Sequence, residues 1–441
     1  MNTPNYQDIA YQNNMKHLAK MEALREGLDA TKKYLRQWER EDNDGFKARK
    51  EMATLYNATK KAVNTANGMI FRKALTLQDI NSKFLQKIND IDNADSSLDQ
   101  FTADSCLQST WDGLSFIIID MPKNESGTEI VSMQQQIDLG IVPYFTKVLS
   151  KQVINKRIVN NMLTQITIEE RIIEPDGEFG EKEVTRYRVL RIGEGLIYDE
   201  NGAITYQWTN NLKYIPIIPV YSNRTGYLQA TPKFLDVADL NIKHFNYQSQ
   251  LDKTLFVASN PVPVIYGHRD DKSITIGVDK AIVFADKDNS GFEWVEFQGT
   301  SVEKLQDEIK NIELRMASLA LSMLTNQNKE RTATEAAIES TSETSDLSSM
   351  AVSFEDAINV AYQIWCEMMG QTATGEISIN KDFIGRMLSA QEAKGYLDLF
   401  NSGAITIEQL WDELQQRQYL NDFDRDLAKA QIEAQNQNVG L

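Results

Sequence analysis

Residues 232–350 constrain the fold of this chain more than any other stretch. From 233 to 258 there is no glycine or proline, which predicts one long helix. Residues 259–300 read as a compact β module of about 40 residues. Thr300 and Glu303 then form a capping box that opens a second helix. Val302, Leu305, Ile309, Ile312, Met316, Leu319 and Met323 step by three and four along it, one apolar seam at coiled-coil period. Such a helix is roughly 35 Å long at a rise of about 1.5 Å per residue. The seam predicts helix packing, but its period does not say whether the partner lies in the same subunit or a neighbour. Residues 326–331 break the pattern and hold no apolar side chain. Thr332 and Glu335 make a second capping box, and the next helix sets Leu347, Met350, Phe354, Ile358, Ala361, Trp365 and Met368 on one face before stopping at Gly370. A lone enzyme rarely needs a small β module carried between two helices. A ring that threads something through its centre does.

The flanks predict an α+β chain. Residues 1–110 read as mostly helical, with a break at Gly45 and the acidic run of residues 39–44. Ser96-Ser97-Leu98-Asp99 starts a helix that ends near Asp112-Gly113, and Leu114 to Asp120 follows as an apolar strand. Residues 121–231 read as β-rich: two alternating runs around Pro175-Asp176-Gly177 predict a hairpin, and Asn201-Gly202 marks another turn. Gly193-Glu194-Gly195 reads as a turn among strands. Pro216 and Pro219 place their extended run at a sheet edge. From residue 377 on, the chain reads as a small, mostly helical terminal region.

Charge and motifs then narrow the function. A formal net charge of −17 argues against a surface that grips DNA by neutralising phosphates, and against binding to an anionic membrane. It is compatible with a duplex sliding past without sticking, because like charges repel, but from charge alone simple solubility is the plainer reading. No apolar run approaches the roughly 20 residues of a spanning helix, and the first residues lack the basic and apolar parts of a signal peptide. Cys106 and Cys366 read as reduced core residues. There is no phosphate-binding glycine loop, no H-E-x-x-H and no G-x-S-x-G. His17, His244 and His268 fall in different predicted elements without local partners, so no metal set is nominated. Together these absences shift the expectation toward a structural or assembly protein.

Several passages resemble the portal-like family of tailed phages, once classed as a domain of unknown function. They include Ile215-Pro216 with Pro232, Leu235-Asp236-Val237-Ala238-Asp239-Leu240-Asn241-Ile242-Lys243-His244, and Asn260-Pro261-Val262-Pro263-Val264-Ile265-Tyr266-Gly267. Ile276-Gly277-Val278-Asp279-Lys280-Ala281, Phe292-Glu293-Trp294-Val295-Glu296 and Thr332-Ala333-Thr334-Glu335-Ala336 continue the likeness, with Ile379-Asn380-Lys381-Asp382-Phe383 and Ser402-Gly403-Ala404-Ile405-Thr406 near the end. It runs through most of the chain beyond residue 50, carried by order and spacing rather than by one motif. The resemblance implies a phage portal fold with wing, helical stem, small β-containing clip and short helical crown. Residues 1–231 would be the wing, 232–258 and 301–324 the stem helices, and 259–300 the clip. Residues 325–332 would be the tunnel loop, 333–370 the long wing helix and 371–441 the crown region.

The resemblance further implies a homo-oligomeric ring, commonly a dodecamer, at one vertex of the virion, made in the host cytoplasm. Its partners would be the major capsid protein, the terminase large subunit, a head–tail adaptor and double-stranded DNA in transit, with no membrane, no cofactor and no catalytic or metal site. In the tunnel loop, Asn326, Gln327, Asn328, Lys329 and Arg331 would face DNA, and Arg269, Asp270, Asp271 and Lys272 are the docking candidates in the clip. Other readings stay open: another phage head or adaptor protein, a helical scaffold, or a cytosolic enzyme. An enzyme needs a pocket with convergent polar groups, and oligomer size separates it cheaply from a ring.

Overall fold

Short polar side chains start the helices of the first part of the chain by accepting backbone N–H groups that a first turn leaves unpaired. The computed structural model describes residues 3–39, 41–122, 133–258, 262–266, 291–295, 300–321, 333–381, 390–416, 425 and 428–429. Asp8 accepts from Tyr11 N–H and opens α1 (Ile9–Glu26), which is followed by α2 (Leu28–Thr31). Asp42 opens α3 (Asn43–Met52) and Asn57 opens α4 (Ala58–Ile70). Gly45, read from sequence as part of a break, instead lies in the first turn of α3, donating its N–H to the Asp42 cap. Strand β1 (Thr76–Gln78) and α5 (Ser82–Leu85) lead to α6 (Leu98–Asp112), capped by Ser97 as its sequence implied. Helix α6 stops at Gly113, whose φ of +84° and a carbonyl oxygen of Thr231 2.4 Å from where a Cβ would sit both exclude a side chain.

The β-rich part follows. Its elements are β2 (Leu114–Asp120), α7 (Met133–Asp138), β3 (Tyr144–Leu149), β4 (Val153–Val159), β5 (Met162–Asp176), β6 (Gly180–Arg191), β7 (Glu194–Tyr198), β8 (Ile204–Thr209), β9 (Ile217–Tyr221), β10 (Arg224–Gly226) and β11 (Gln229–Ala230). An antiparallel five-stranded sheet runs in the order β4-β5-β6-β7-β8, and a three-stranded one in the order β3-β2-β9. Strand β9 carries Pro219 at the sheet edge, as expected of a residue with no N–H to give. Two sequence readings need correction here. Pro175 and Asp176 pair with Glu181 and Gly180, so the hairpin turn is residues 177–179 rather than 175–177. Of Gly193-Glu194-Gly195, only Gly193 is turn; Glu194 and Gly195 pair with Thr209 and Trp208. The inner faces of both sheets share one core, with Phe116, Ile118, Val153, Ile166, Ile168 and Leu190 among its members.

The rest of the first unit, which spans Met1–Ile379, is helical with two small ladders. It holds α8 (Leu235–Ala258), β12 (Val262–Tyr266), β13 (Gly291–Val295), α9 (Thr300–Leu321), α10 (Ala333–Met368) and β14 (Glu376–Ser378). Helix α9 already includes Thr300, and Thr332 lies outside the described residues, so neither expected capping box is seen as such. The predicted face of α10 is buried from Leu347 to Trp365, while Met368 is half-buried. It packs into an aromatic cluster: Phe84 lies 4.7 Å from Tyr362, 5.1 Å from Trp365 and 6.2 Å from Phe145 between ring centroids. Strand β14 pairs with β1 across almost 300 residues of chain, Leu77 facing Ile377. Cys106 and Cys366 are buried and free, as the sequence suggested.

The second unit, Asn380–Leu441, contains α11 (Ala390–Asn401) and α12 (Ile407–Gln416). Thr406 and Gln409 cap α12 reciprocally: Gln409 N–H donates to Thr406 Oγ1 at 3.2 Å, and Thr406 N–H to Gln409 Oε1 at 2.9 Å. Among the described residues no helix is long and apolar enough to cross a membrane.

One buried acid gives the body a pH signature. Asp112, at the end of α6, is 5 % exposed and accepts from Gln108 Nε2 at 2.7 Å. Burial pushes its carboxyl up from 3.8 to about 6, against the pull of the Gln108 bond and Arg25. A folded-state value above the unfolded one contributes stability that is full below about pH 4 and lost as pH rises through about 6. Asp112→Asn keeps the bond to Gln108 and removes the buried charge. It is expected to raise stability at pH 7.5 by about 1–3 kcal/mol and to change little at pH 4. Thermal melts of both proteins at the two pH values check this; an equal shift at both would contradict it.

Candidate functional site

The helix pair α8 and α9, with the ladder between them, is the part of the molecule the sequence singled out. Helix α8 is amphipathic with unusually many polar groups on its buried face: Val237, Ala238 and Phe245 are buried, but so are Asn241, His244 and Ser249. Each of these polar groups meets a partner from a distant segment. Asn241 Oδ1 accepts from Thr59 N–H and Oγ1, both at 3.0 Å, and its Nδ2 donates to Tyr56 O at 2.8 Å. The start of α4 is thereby fastened to the middle of α8. His244 Nε2 lies 3.1 Å from Glu313 Oε1 on α9, while its buried Nδ1 has no hydrogen-bond partner among the described residues.

The seam of α9 finds its partners inside the subunit. Val302 and Ile309 pack with Leu251, Tyr247 and Leu305, and Ile312 and Met316 are also buried. Helix α4 packs on α9 as well. Lys243 Nζ bridges to Glu308 at 3.0 Å. Moving from Lys243 to Leu251 along α8, the α9 partners move back from Glu308 and Glu313 towards Val302, so the pair is antiparallel. Leu319, expected in the seam, is 41 % exposed. Beyond the two facing ends, β12 and β13 pair antiparallel from Val262 opposite Val295 to Tyr266 opposite Gly291. The ladder therefore closes the chain across the open end of the helix pair, three residues after α8 and four before α9.

A charged network holds α3 against α8 near that end. Arg49 forks onto Glu41, with Nε 2.9 Å from Oε1 and one terminal nitrogen 2.8 Å from Oε2. The other terminal nitrogen donates to Ser249 Oγ at 3.1 Å, and Lys253 Nζ reaches Glu41 at 2.9 Å. The guanidinium lies 4.0 Å from the Trp38 ring centroid. Both side chains of the central pair are almost fully buried. The hydrogen bond from Arg49, aided by Lys253 and the Trp38 N–H, holds the Glu41 carboxyl down at about 2 despite burial.

The remaining site residues nominated from sequence, Arg269, Asp270, Asp271 and Lys272, and Asn326, Gln327, Asn328, Lys329 and Arg331, lie outside the described residues. A further feature was not anticipated. A cleft of about 790 Å³ opens between the two sheets and the end of α10, lined among others by Asp120, Tyr144, Arg186, Arg188, Trp208 and Glu367. Its cations are neutralised in place. Arg186 Nε is 2.6 Å from Glu170 Oε2, Arg188 Nε is 2.7 Å from Glu170 Oε1, and Arg188 also pairs with Asp120. Asp120 belongs to β2 and Arg188 to β6, so the network ties the two sheets together. The hairpin read from sequence did not reveal it: a turn at residues 175–177 does not set Glu170 opposite Arg186, whereas the observed turn at 177–179 does.

Residues 233–369, from the start of the helix pair to the end of α10, match a family described as a domain of unknown function, DUF4055. No curated protein matches the chain. Among solved structures it is similar to the neck of an empty gene transfer agent particle computed with C6 symmetry, at 12 % identity over 88 % of this chain and 95 % of that one, TM-score 0.43. It is also similar to the neck of the native particle computed with C12 symmetry, at 12 % identity over 81 % and 89 %, TM-score 0.41. A third likeness is to the virion of the native particle, at 12 % identity over 83 % and 87 %, TM-score 0.40.

Proposed function

We propose that the chain is the portal subunit of a tailed phage or phage-like particle, a head–tail structural protein that forms a ring through which DNA enters and leaves. The observation that carries this reading is the antiparallel α8–α9 pair, internally packed and closed at its end by the β12–β13 ladder. A helix pair whose apolar seam is satisfied within the subunit is a rigid strut. Repeated around an axis, such struts wall a channel and present their ladders together at one end. The sequence resemblance supplies the assignment of parts. In this reading α8 and α9 are stem, residues 259–300 are clip, and Arg269, Asp270, Asp271 and Lys272 sit on the surface that meets terminase and later the adaptor. The chain hydrolyses nothing; the motor it docks does.

Imaging of the purified chain by negative stain, with native mass measurement, tests the assignment. Twelve copies of a 50.2 kDa chain give a closed ring of about 600 kDa with a central hole. A monomer at every concentration would overturn the assignment.

Lys329 and Arg331 are assigned to the channel wall. They are the cations of a loop without apolar anchors, and within an acidic bore a few cations guide the duplex without trapping it. With both replaced by glutamine, the ring is expected to assemble normally while packaged or retained DNA falls severalfold, measured as nuclease-protected genomes per particle. Unchanged packaging and retention would remove this role.

A further inference from the structure

The five-stranded sheet does not cover the whole of its longest hairpin. Strand β4 pairs with β5 only as far as Ile168, and β7 meets β6 only from Tyr187 on. Beyond those points β5 and β6 continue alone, from Glu170 opposite Arg186 to Asp176 opposite Gly180. Seven residues at about 3.4 Å each make an arm of about 24 Å. Gly177, at φ +76°, turns it, and Phe179 at the tip is 93 % exposed. Ile173 on the shaft is 70 % exposed. A two-stranded ribbon is marginal alone in water, and one that ends in an uncovered phenyl ring is an unfinished surface.

The arm is also acidic. Residues 170–186 hold six carboxylates and three cations, a net charge of −3. Among the described residues Glu174, Asp176, Glu178 and Glu181 form no ion pair. The same chain carries a surface of opposite character. Residues 43–73 hold six cations outside the core and two carboxylates, a net surface charge of +4 in a chain of −17, the seventh cation, Arg49, being buried against Glu41. Lys47, Lys60 and Lys61 are exposed in this segment, with no ion pair among the described residues, and so are Met52 at 47 % and Tyr56 at 55 % exposure. Arm and patch thus match in charge and in apolar content.

We infer that the β5–β6 arm of one subunit docks on the α3–α4 surface of the next copy, Phe179 and Ile173 against Met52 and Tyr56, with its carboxylates over Lys47, Lys60 and Lys61. Two copies of so acidic a chain repel over most of their surfaces, and the basic patch is where an acidic arm is attracted instead. Two different surfaces meeting make a head-to-tail contact, the kind that closes a ring. The inference rests on the ring reading above.

Charge reversal tests it. One variant carries Glu174→Lys, Asp176→Lys, Glu178→Lys and Glu181→Lys; the other carries Lys47→Glu, Lys60→Glu and Lys61→Glu. None of these side chains is in the core, so circular dichroism should match wild type in both. Each variant alone is expected to need about tenfold or more higher concentration to form rings, because every contact then sets like charges together. An equimolar mixture is expected to form alternating rings as readily as wild type, since every arm again faces an opposite charge. Rings from either variant alone at wild-type concentration would overturn the contact and leave the ring reading standing. So would failure of the mixture. A wild-type chain that never forms rings would overturn both.

Discussion

Arg49→Ala is expected to destabilise the first unit by about 3–5 kcal/mol, the range for removing one partner of a buried ion pair. The cost comes less from the lost attraction than from what stays behind. The Glu41 carboxylate is enclosed with 2 % of its side chain exposed, and it would lose two of its hydrogen bonds at once. Ser249 on α8 and the carbonyl of Arg36 would lose their donor as well. Lys253 remains against Glu41, which holds the effect within the stated range. The pair Arg49→Met with Glu41→Gln should cost less than Arg49→Ala alone, because no buried charge is stranded. Urea unfolding of the three proteins measures this, and a single-variant loss below about 1 kcal/mol would show that the network is not buried as described. Acid offers a second reading of the same pair. Glu41 is held at about 2 against an ordinary 4.5, so its contribution is present above about pH 4.5 and is lost as pH falls toward 2. Glu41→Gln should flatten that part of the acid unfolding profile.

Trp365→Ala is expected to cost about 3–5 kcal/mol, the range for deleting a large buried aromatic side chain. The indole is 1 % exposed and edge-on to Phe84. Its Nε1–H donates to the carbonyl of Pro143 at 2.6 Å, joining α10 to the loop before β3. Deletion leaves a cavity beside Phe84 and an unpaired carbonyl in the interior. Trp365→Phe separates the two effects: it refills most of the volume and loses only the hydrogen bond, for about 1–3 kcal/mol. Denaturant midpoints compared at equal slope give both values. Equal losses for the two substitutions would mean that the hydrogen bond, not the packing, dominates.

Much of the helix pair was legible in the sequence. The α9 seam was visible because residues three and four apart share a helix face, so a run from Val302 to Met316 announces its own burial. The absence of breakers drew α8 almost to its ends. The buried polar row Asn241, His244 and Ser249 was not legible, because nothing local distinguishes a polar residue facing water from one facing Thr59 or Arg49. The cleft network was not legible. The hairpin turn was read at residues 175–177, a register that does not set Glu170 opposite Arg186, and Asp120 enters from another sheet.

The sequence by itself determined the elements and their local chemistry: the α6 start at Ser97, the strand from Leu114 to Asp120, the β5–β6 hairpin and the stop at Gly370. These depend on backbone sterics, on caps and on periods that a window of ten to twenty residues contains. Only the tertiary structure decided which surface covers which. The α9 seam closes on α8 and α4 within the subunit, β1 takes β14 as its partner, and Arg49 is buried because Glu41, Ser249 and Lys253 converge on one point. The physical reason is that a period reports that a face must be buried, while the partner is set by chain topology. A charge enters a core only where segments far apart in sequence arrive together to satisfy it.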